Sequence, residues 1–271
     1  MVKLVAIDID GTLLNSAGVL TDAVKNTLKK ASEKGVKVVL ATGRPLKGVE
    51  ALLKELDLVG GDQYVITYNG SLVQTTDGTK VIKEYGLSLE TFNEVNALAN
   101  DYDVSFYAAD RSYLYTTQRD IGIYVAYESN LVKMPIRVRT LEEVQNSQLS
   151  IQKMMFADDP QKIDDVVAKL PEWFTQKYFT VKSTPFYLEI LHKEANKGNA
   201  LKALCEHLNI PLSDVMAIGD NHNDMDMIVI AGESVAMGNA VEAIKLAAKH
   251  QTTSHNEDGV AHIVSKIVLG D

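Results

Sequence analysis

The sequence predicts a doubly wound (Rossmann-like) α/β core with a parallel sheet, interrupted by an inserted α+β domain. Short, almost unbroken apolar runs alternate with helical patterns over residues 1–70, as expected for a parallel sheet with helices on both faces. The same alternation returns from Lys197 onward. Between these stretches the pattern changes to short strands and tight turns that hold most of the aromatic residues, which indicates a second domain.

The first stretch predicts a βαβαβ unit with right-handed crossovers. Thr21 is a suitable N-cap for the first helix, which is expected to end at Gly35. Pro45 is expected to begin the second helix, because proline is favoured in the first helical turn. The predicted elements are a strand over 2–7, a helix over 21–35, a strand over 36–41, a helix over 45–56 and a strand over 64–67.

The inserted domain is predicted to span residues 85–191, which leaves 1–84 and 192–271 for the core. Asp77-Gly78 favours a tight hairpin turn shortly before it. Inside the insert we expect helices near 90–100 and 161–170 and strands near 104–107, 113–116, 151–156, 179–182 and 187–191. Beyond it we expect a helix opened by Lys197, a strand over 215–218, a helix over 225–230, a strand over 235–237 and helices near 241–248 and 259–268.

The composition indicates which kinds of partner and which cellular location to expect. The 271 residues include 36 acidic and 27 basic side chains, which give a formal net charge of −9 with neutral histidine. A nucleic-acid partner is therefore not expected, because sequence-independent binding requires clustered Lys and Arg. The single cysteine, Cys205, is typical of a reducing compartment. With neither a signal peptide nor an apolar run long enough to cross a bilayer, we expect a cytoplasmic protein without a membrane partner.

Acidic residues follow two of the predicted buried strands. Asp8 and Asp10 follow the first strand and, at positions i and i+2, start on the same face. Asp220 and Asp224 follow a later strand. Because parallel strands end at one edge of the sheet, these carboxylates can converge on a hard cation such as Mg²⁺, whereas zinc favours clustered His and Cys. Alternatively, the first pair is a solvated strand end and Asp224 caps a helix.

Two further segments are suited to bind phosphate. Thr42-Gly43-Arg44 links a strand to a helix, and its hydroxyl, its glycine amide and the helix N-terminus can bind phosphate oxygens together. Lys197-Gly198 opens a helix and supplies a positive charge. Each segment is also compatible with an ordinary role, as a helix cap in the first case and as a surface lysine in the second.

These segments together resemble the haloacid dehalogenase (HAD) superfamily of phosphatases. Asp8-Ile9-Asp10-Gly11-Thr12 matches its first motif, Thr42 its second, Lys197 its third, and Gly219-Asp220 with Asn223-Asp224 its fourth. The order matches, and the large insert between the second and third motifs is similar to that of the Cof-type branch. The resemblance covers both core segments and implies a Mg²⁺-dependent phosphatase acting on a small phosphorylated substrate, such as a sugar phosphate.

The resemblance also implies roles for the motif residues. Asp8 would be the nucleophile that forms an aspartyl-phosphate, and Asp10 would be the general acid and base. Mg²⁺ would be held by Asp8, the carbonyl of Asp10 and Asp220, with Asp224 either binding the ion or supporting its ligands. The groups expected to bind phosphoryl oxygens or balance their charge are Thr42, Gly43, Lys197 and Asn223.

The insert is expected to act as a cap that excludes water and selects the leaving group. Arg44, Asn69 and Glu189 are candidates to face the substrate. Two other residues are interpreted as ordinary structure, Cys205 as a small buried hydrophobe and His222 as loop surface.

Other functions are left open by the sequence. A phosphomutase would use the same Asp8 but pass the phosphoryl group to a second sugar hydroxyl. A receiver-like switch would also phosphorylate an aspartate in a doubly wound fold, although it needs neither Asp10 nor an inserted domain. A metal-independent binding protein would turn over no phosphate ester. The oligomeric state is not indicated by the sequence.

Overall fold

The computed structural model describes residues 1–270, which form two compact units. The core unit contains Met1–Lys83 and the chain from Asn196 onward, and the insert unit contains Glu84–Ala195. Helices and strands alternate in the core unit around a mainly parallel sheet, so the predicted doubly wound α/β fold is confirmed. The action of the insert as a cap stays a prediction.

The helices and strands are numbered from the N-terminus. The first stretch contains β1 (Leu4–Ile7), α1 (Asp22–Glu33), β2 (Lys37–Ala41), α2 (Glu50–Glu55), β3 (Tyr64–Thr67), β4 (Leu72–Thr75) and β5 (Val81–Glu84). The second contains α3 (Leu89–Asp101), β6 (Phe106–Ala109), β7 (Leu114–Thr116), α4 (Ile123–Val132), β8 (Ile136–Val138), α5 (Leu141–Gln145), β9 (Lys153–Ala157), α6 (Pro160–Lys169), α7 (Glu172–Lys177), β10 (Tyr178–Thr184) and β11 (Tyr187–His192). The third contains α8 (Lys197–Leu208), β12 (Val215–Gly219), α9 (Met225–Ile230), β13 (Glu233–Ala236), α10 (Glu242–Ala247), β14 (His250–Gln251) and α11 (Gly259–Val264). Within residues 1–270, no helix has both the length and the apolar composition that crossing a bilayer requires.

The core sheet has the strand order β14-β13-β12-β1-β2-β3-β4-β5. The strands from β14 to β3 run parallel, and β4 is antiparallel to β3. β1 is central, since Leu4 is in register with Lys37 of β2 on one side and with Val215 of β12 on the other. The chain leaves β1 toward β2 but returns through β12, so the winding direction changes between β1 and β12. Doubly wound sheets bind their ligands at such a switch point.

The first elements form for the reasons that the sequence suggests. Leu4–Ile7 are fully buried, as a strand covered on both faces requires. Thr21 caps α1, because its Oγ1 accepts the backbone N–H of Val24 (3.3 Å). The buried stripe of α1 has helical spacing and consists of Val24, Leu28 and Ala31.

The helix predicted to begin at Pro45 starts later than expected. Pro45 is extended (φ −70°, ψ 165°) and precedes a single 3₁₀ turn, Leu46–Gly48. Val49 lies outside helical geometry at φ −125° and ψ −2°, and α2 therefore begins only at Glu50. The predicted start was wrong because proline fixes φ alone, at a value that helical and extended backbone share.

The insert unit contains a sheet with the order β10-β11-β9-β6-β7-β8, antiparallel except between β7 and β8. A hydrophobic core packs α3, α6 and α7 against this sheet. The helices and strands predicted in the insert are present with slightly shifted ends. The fully buried aromatic residues of its core are Phe92, Phe106, Phe156 and Phe174.

The sequence pattern did not predict α4. The buried face of this helix carries Val125, Val132 and an acid, Glu128, whereas Ile123 and Leu131 are exposed. Such an arrangement lacks the apolar stripe by which amphipathic helices are recognised. Other short elements that were not predicted are α5, α7, β8 and β14.

Replacing Phe156 by alanine is expected to destabilise the insert unit. Phe156 is fully buried in the core of that unit, and its loss removes apolar contacts and leaves a cavity. We expect the free energy of unfolding to fall by about 3–5 kcal/mol. Trp173 is 45% exposed, and Trp173→Ala is the matched control with a clearly smaller expected loss. Chemical denaturation followed by circular dichroism measures both, and equal losses would contradict the assigned core.

Candidate active site

Two of the predicted acidic segments lie side by side at the switch point of the core sheet. Asp8 directly follows β1, and Asp220 directly follows β12. Ile7 is paired with Ile218, so the two strands end level with each other. Asp8 also donates its backbone N–H to the carbonyl of Ile218 (3.0 Å). The first and fourth motifs therefore meet at the carboxyl edge of the sheet.

Asp8, Asp224 and Lys197 form a buried charge cluster. Lys197 is the first residue of α8 and is fully buried. Its Nζ donates to Asp8 Oδ1 (2.5 Å) and to Asp224 Oδ1 (2.6 Å). The other oxygen of Asp224 accepts the backbone N–H groups of Asp220 (2.9 Å) and Asn221 (3.1 Å). Asp224 thus connects the lysine of the third motif to the loop of the fourth.

Asp220 is held by side chains that the sequence analysis did not select. Buried Thr12 donates from Oγ1 to Asp220 Oδ1 (3.0 Å). Asn239 Nδ2 donates to the carbonyl of Gly11 (2.8 Å) and lies 3.5 Å from Asp220 Oδ2. Thr12 is the last residue of the first motif, and the motif alone predicts no role for it. Asn239 could have been found from its place shortly after β13, another parallel strand that ends at this edge.

The carboxylates of the site carry more negative charge than Lys197 balances. Within residues 1–270, Asp8, Asp220 and Asp224 each place an oxygen within 4.8 Å of the others. Burial, and next the carboxylate of Asp224, raises the pKa of Asp8 well above its ordinary value, and the same causes raise the pKa of Asp220. Burial would lower the pKa of Lys197, but Asp224 and Asp8 hold it above its ordinary value.

This donor set fits a divalent cation that prefers oxygen ligands. One ammonium group against three carboxylates leaves two negative charges, which a single divalent ion matches. Carboxylate oxygens are typical ligands of hard cations, whereas structural zinc sites are built mainly from Cys and His. The arrangement is therefore suited to hold a divalent cation next to Asp8.

Asp10 lies apart from the buried cluster. Its side chain is 61% exposed and accepts hydrogen bonds from Arg44 Nη2 (2.5 Å) and Arg44 Nε (3.0 Å). Two parallel N–H···O bonds of this kind fix the orientation of a carboxylate. Arg44, selected from the sequence as a residue that faces substrate, is thus the partner of the predicted acid and base.

Thr42 and Gly43 follow β2, which is the neighbour of β1 in the sheet. Thr42 is buried, and its Oγ1 accepts the backbone N–H of Arg44 (3.1 Å). A hydroxyl that accepts one bond can still donate another, so Thr42 can donate to a phosphoryl oxygen. Asn69 connects Asn223 to this segment. Its backbone N–H donates to the carbonyl of Thr42 (2.9 Å), and its Oδ1 accepts from Asn223 Nδ2 (3.1 Å).

Glu189 has a different environment from the other selected residues. It is buried in β11 of the insert unit, with its Oε2 3.6 Å from Lys153 Nζ. Its predicted contact with substrate stays a prediction. Two interpretations of single residues are confirmed, since Cys205 is buried and His222 is exposed.

Replacing Lys197 by methionine is expected to destabilise the core unit, although methionine is apolar and of similar length. The change leaves Asp8 and Asp224 buried without their counter-charge, and removing one partner of a buried ion pair costs about 3–5 kcal/mol. Lys202→Met, at an exposed position of the same helix, is the control and should stay within about 0.5 kcal/mol of wild type. Chemical denaturation without divalent cations compares the two, and equal stabilities would argue against the cluster.

Comparisons with known proteins identify the family. A family model described as haloacid dehalogenase-like hydrolase matches residues 5–264. YxeH of Bacillus subtilis (strain 168), whose full name is "Putative phosphatase YxeH", is 44% identical over 269 residues that cover 99% of each chain. YcsE of the same organism, named 5-amino-6-(5-phospho-D-ribitylamino)uracil phosphatase, is 30% identical over 273 residues that cover 99% of this chain and 96% of YcsE.

A solved structure agrees with these relatives. The crystal structure of a haloacid dehalogenase-like hydrolase from Bacteroides thetaiotaomicron matches with a TM-score of 0.88 and 31% identity, covering 98% of this chain and 100% of that chain. The family match and the full-length relatives named as phosphatases support a phosphatase activity, and the predicted enzyme class is confirmed. The chain therefore belongs to the haloacid dehalogenase-like hydrolase family.

Proposed function

We propose that this chain is a Mg²⁺-dependent phosphatase that hydrolyses small phosphorylated metabolites, with sugar phosphates as the first candidates, through an aspartyl-phosphate on Asp8. The observation that carries the proposal is the environment of Asp8. It is a buried carboxylate at the end of β1, 2.5 Å from Lys197 Nζ and within 4.8 Å of carboxylates from Asp220 and Asp224. A carboxylate can approach a phosphate dianion only where positive charge offsets the repulsion, and Lys197 supplies part of that charge.

In the first half of the proposed reaction, an oxygen of Asp8 attacks phosphorus. The bond between phosphorus and the leaving alcohol breaks as the new bond to Asp8 forms. Asp10 would enter this step protonated and released from Arg44, and it would become a carboxylate as it donates its proton to the alcohol oxygen. The Thr42 hydroxyl, the Gly43 N–H and the Asn223 amide would donate to the phosphoryl oxygens and keep the attacking and leaving oxygens in line.

In the second half, water hydrolyses the aspartyl-phosphate. Asp10, now a carboxylate, takes a proton from the water as its oxygen attacks phosphorus, and the bond to Asp8 breaks to release inorganic phosphate. The exposure of Asp10 supports this double role, because a side chain that is 61% exposed is accessible both to a leaving alcohol and to water.

The carboxylates of Asp8 and Asp220 and the carbonyl of Asp10 would hold Mg²⁺, which when bound would offset the repulsion between Asp8 and the phosphate. Asp224 is better suited to a supporting role. One of its oxygens accepts from Lys197 and the other from two backbone N–H groups, so Asp224 orients the lysine and the Asp220 loop together. Thr12 and Asn239 orient Asp220 itself.

The proposed substrate class is supported by a relative. The name of YcsE specifies a substrate whose phosphate is attached to a ribityl chain, which is a polyol. A sugar phosphate presents the same chemistry, namely a phosphomonoester of a hydroxylated carbon chain. We also propose a cytoplasmic location, which the single cysteine, Cys205, supports.

Replacing Asp8 by asparagine is expected to abolish phosphate release. The amide cannot form the aspartyl-phosphate, so kcat should fall by at least about 1000-fold. Phosphate release from p-nitrophenyl phosphate and from a panel of sugar phosphates measures the effect, with Asp22→Asn as an exposed control in the same unit. EDTA should remove the wild-type activity, and added Mg²⁺ should restore it. Asp8→Asn with near-normal turnover would show that another residue is the nucleophile.

Replacing Asp10 by asparagine is expected to slow the hydrolysis of phosphate esters with poor leaving groups more than that of esters with good leaving groups. An alkyl alcohol needs a proton as it departs, whereas p-nitrophenolate leaves readily without one. We expect a loss of about 100- to 10,000-fold for a sugar phosphate, since this is the range of general acid–base catalysis. With p-nitrophenyl phosphate, the first step is followed as the burst of nitrophenol release before the steady state. Asp10→Asn should slow this burst much less than it slows the reaction of the sugar phosphate. Equal losses for the two substrates would contradict the assignment of Asp10 as the general acid.

A further inference from the structure

A turn of unusual backbone geometry follows β3 in the core unit. Tyr68, Asn69 and Gly70 have φ angles of 52°, 54° and 97°, so consecutive residues lie in the left-handed region. A non-glycine residue there costs roughly 1–3 kcal/mol, and such strain persists only where the surroundings enforce it. Tyr68 and Asn69 are both buried. The neighbours that hold this turn belong to the candidate active site.

Gly70 packs against the start of α8. A Cβ at this position would lie 2.2 Å from the carbonyl oxygen of Asn196, so a side chain does not fit. Asn196 is the N-cap of α8, and its side chain accepts the backbone N–H of Asn199 (2.7 Å). Because Lys197 is the next residue, the turn packs directly on the segment that determines where Lys197 lies.

Asn69 contacts both segments that are proposed to bind phosphoryl oxygens. Its backbone N–H donates to the carbonyl of Thr42 (2.9 Å), and its Oδ1 accepts from Asn223 Nδ2 (3.1 Å). Its amide also lies against Gly43, since a Cβ built on Gly43 would be 3.1 Å from Asn69 Nδ2. One buried side chain therefore spans the Thr42-Gly43 loop and the Asn223 loop, which are far apart in sequence.

We infer that Asn69 is a positioning residue that sets the spacing between the Gly43 amide and the Asn223 side chain, so that both reach the same phosphoryl group. This inference rests on the proposed function. Asparagine suits the position for two reasons: like aspartate, it tolerates left-handed backbone better than most side chains, and its amide offers an acceptor for Asn223. Asn69 acts through Asn223 and Gly43, and it is distinct from the carboxylates that would hold the metal.

The test compares two asparagines that share the same backbone geometry. Asn69→Gly keeps the left-handed turn and removes the amide. Asn209→Gly is the matched control, because Asn209 also has a left-handed φ (53°) but is exposed at the opposite end of α8 from Lys197. Any general effect of placing glycine in a left-handed position appears in both variants.

We expect Asn69→Gly to lower kcat/KM for p-nitrophenyl phosphate by about 10- to 100-fold, because misplacing groups by around 1 Å costs up to about 100-fold. Orthovanadate, which adopts the five-coordinate geometry of the transition state, should inhibit it more weakly by a similar factor. Inhibition by inorganic phosphate should change by less than about 3-fold, since ground-state binding needs less accurate alignment. The affinity of Asn69→Gly for Mn²⁺, measured by electron paramagnetic resonance, should stay within about 2-fold of wild type. The control, Asn209→Gly, should stay within about 2-fold of wild type in every assay.

Asn69→Asp provides a second variant that retains the backbone preference and the oxygen that accepts from Asn223. Its added negative charge should raise KM for a phosphate ester, while its kcat should stay within about 3-fold of wild type and exceed that of Asn69→Gly. If Asn69→Gly does not fold, this split between kcat and KM relative to wild type still tests the inference.

The outcomes separate this inference from the proposed function. A wild-type protein without phosphatase activity would overturn the proposed function itself. An active wild type together with Asn69→Gly within about 2-fold in kcat/KM and in vanadate inhibition would overturn only the role of Asn69. A parallel loss of Mn²⁺ binding would also overturn it, because Asn69 would then act on the whole site rather than on the phosphate ligands.

Discussion

The core unit depends on one electrostatic constraint, which is that two buried carboxylates, Asp8 and Asp224, and a half-buried one, Asp220, are crowded together at one edge of the sheet although they come from distant parts of the chain. Bringing Asp8, Asp220 and Asp224 within 4.8 Å of one another costs free energy, because burial and mutual repulsion both disfavour their charged forms. Lys197 offsets part of this cost from a fully buried position at the start of α8. The charge that it leaves unbalanced gives the site its suitability for a divalent cation. A phosphate dianion would require the buried ammonium together with a cation held by these carboxylates, because the carboxylates alone would repel it.

The sheet alone does not give these groups their final positions. A parallel sheet with the order found here determines where each strand ends, but side chains in the following loops still have to be held within about 0.5 Å for catalysis. Hydrogen bonds between loops provide that accuracy. Thr12 holds Asp220, Asp224 holds Lys197, and Asn69 holds Asn223, so each bond joins two segments that are separated in the sequence. A site built in this way loses alignment when a residue outside the reacting groups is changed.

The sequence predicts the parts of this architecture that depend on local pattern. Buried parallel strands have continuous apolar runs, and polar residues at their ends identify the edge of the sheet that binds ligands. Two kinds of feature are not predictable in this way. The helix α4 is not predicted from the sequence because its buried face carries Glu128, while Ile123 and Leu131 are exposed. The place of Asn239 shortly after β13 is visible in the sequence, but its contacts with Gly11 and Asp220 are not, because these residues become its neighbours only in the folded chain.

The net charge of −9 is compatible with an anionic substrate once local and global electrostatics are separated. At physiological ionic strength, exposed charges more than about 8 Å apart are largely screened, so distant acids have little influence on a phosphate inside the site. The nearby groups determine the local potential, and without a cation Asp8, Asp220 and Asp224 outweigh Lys197. A bound divalent ion would cancel the two negative charges that Lys197 leaves unbalanced, so that the site would no longer repel a phosphate. On the proposed mechanism, cation binding therefore precedes productive binding of the substrate.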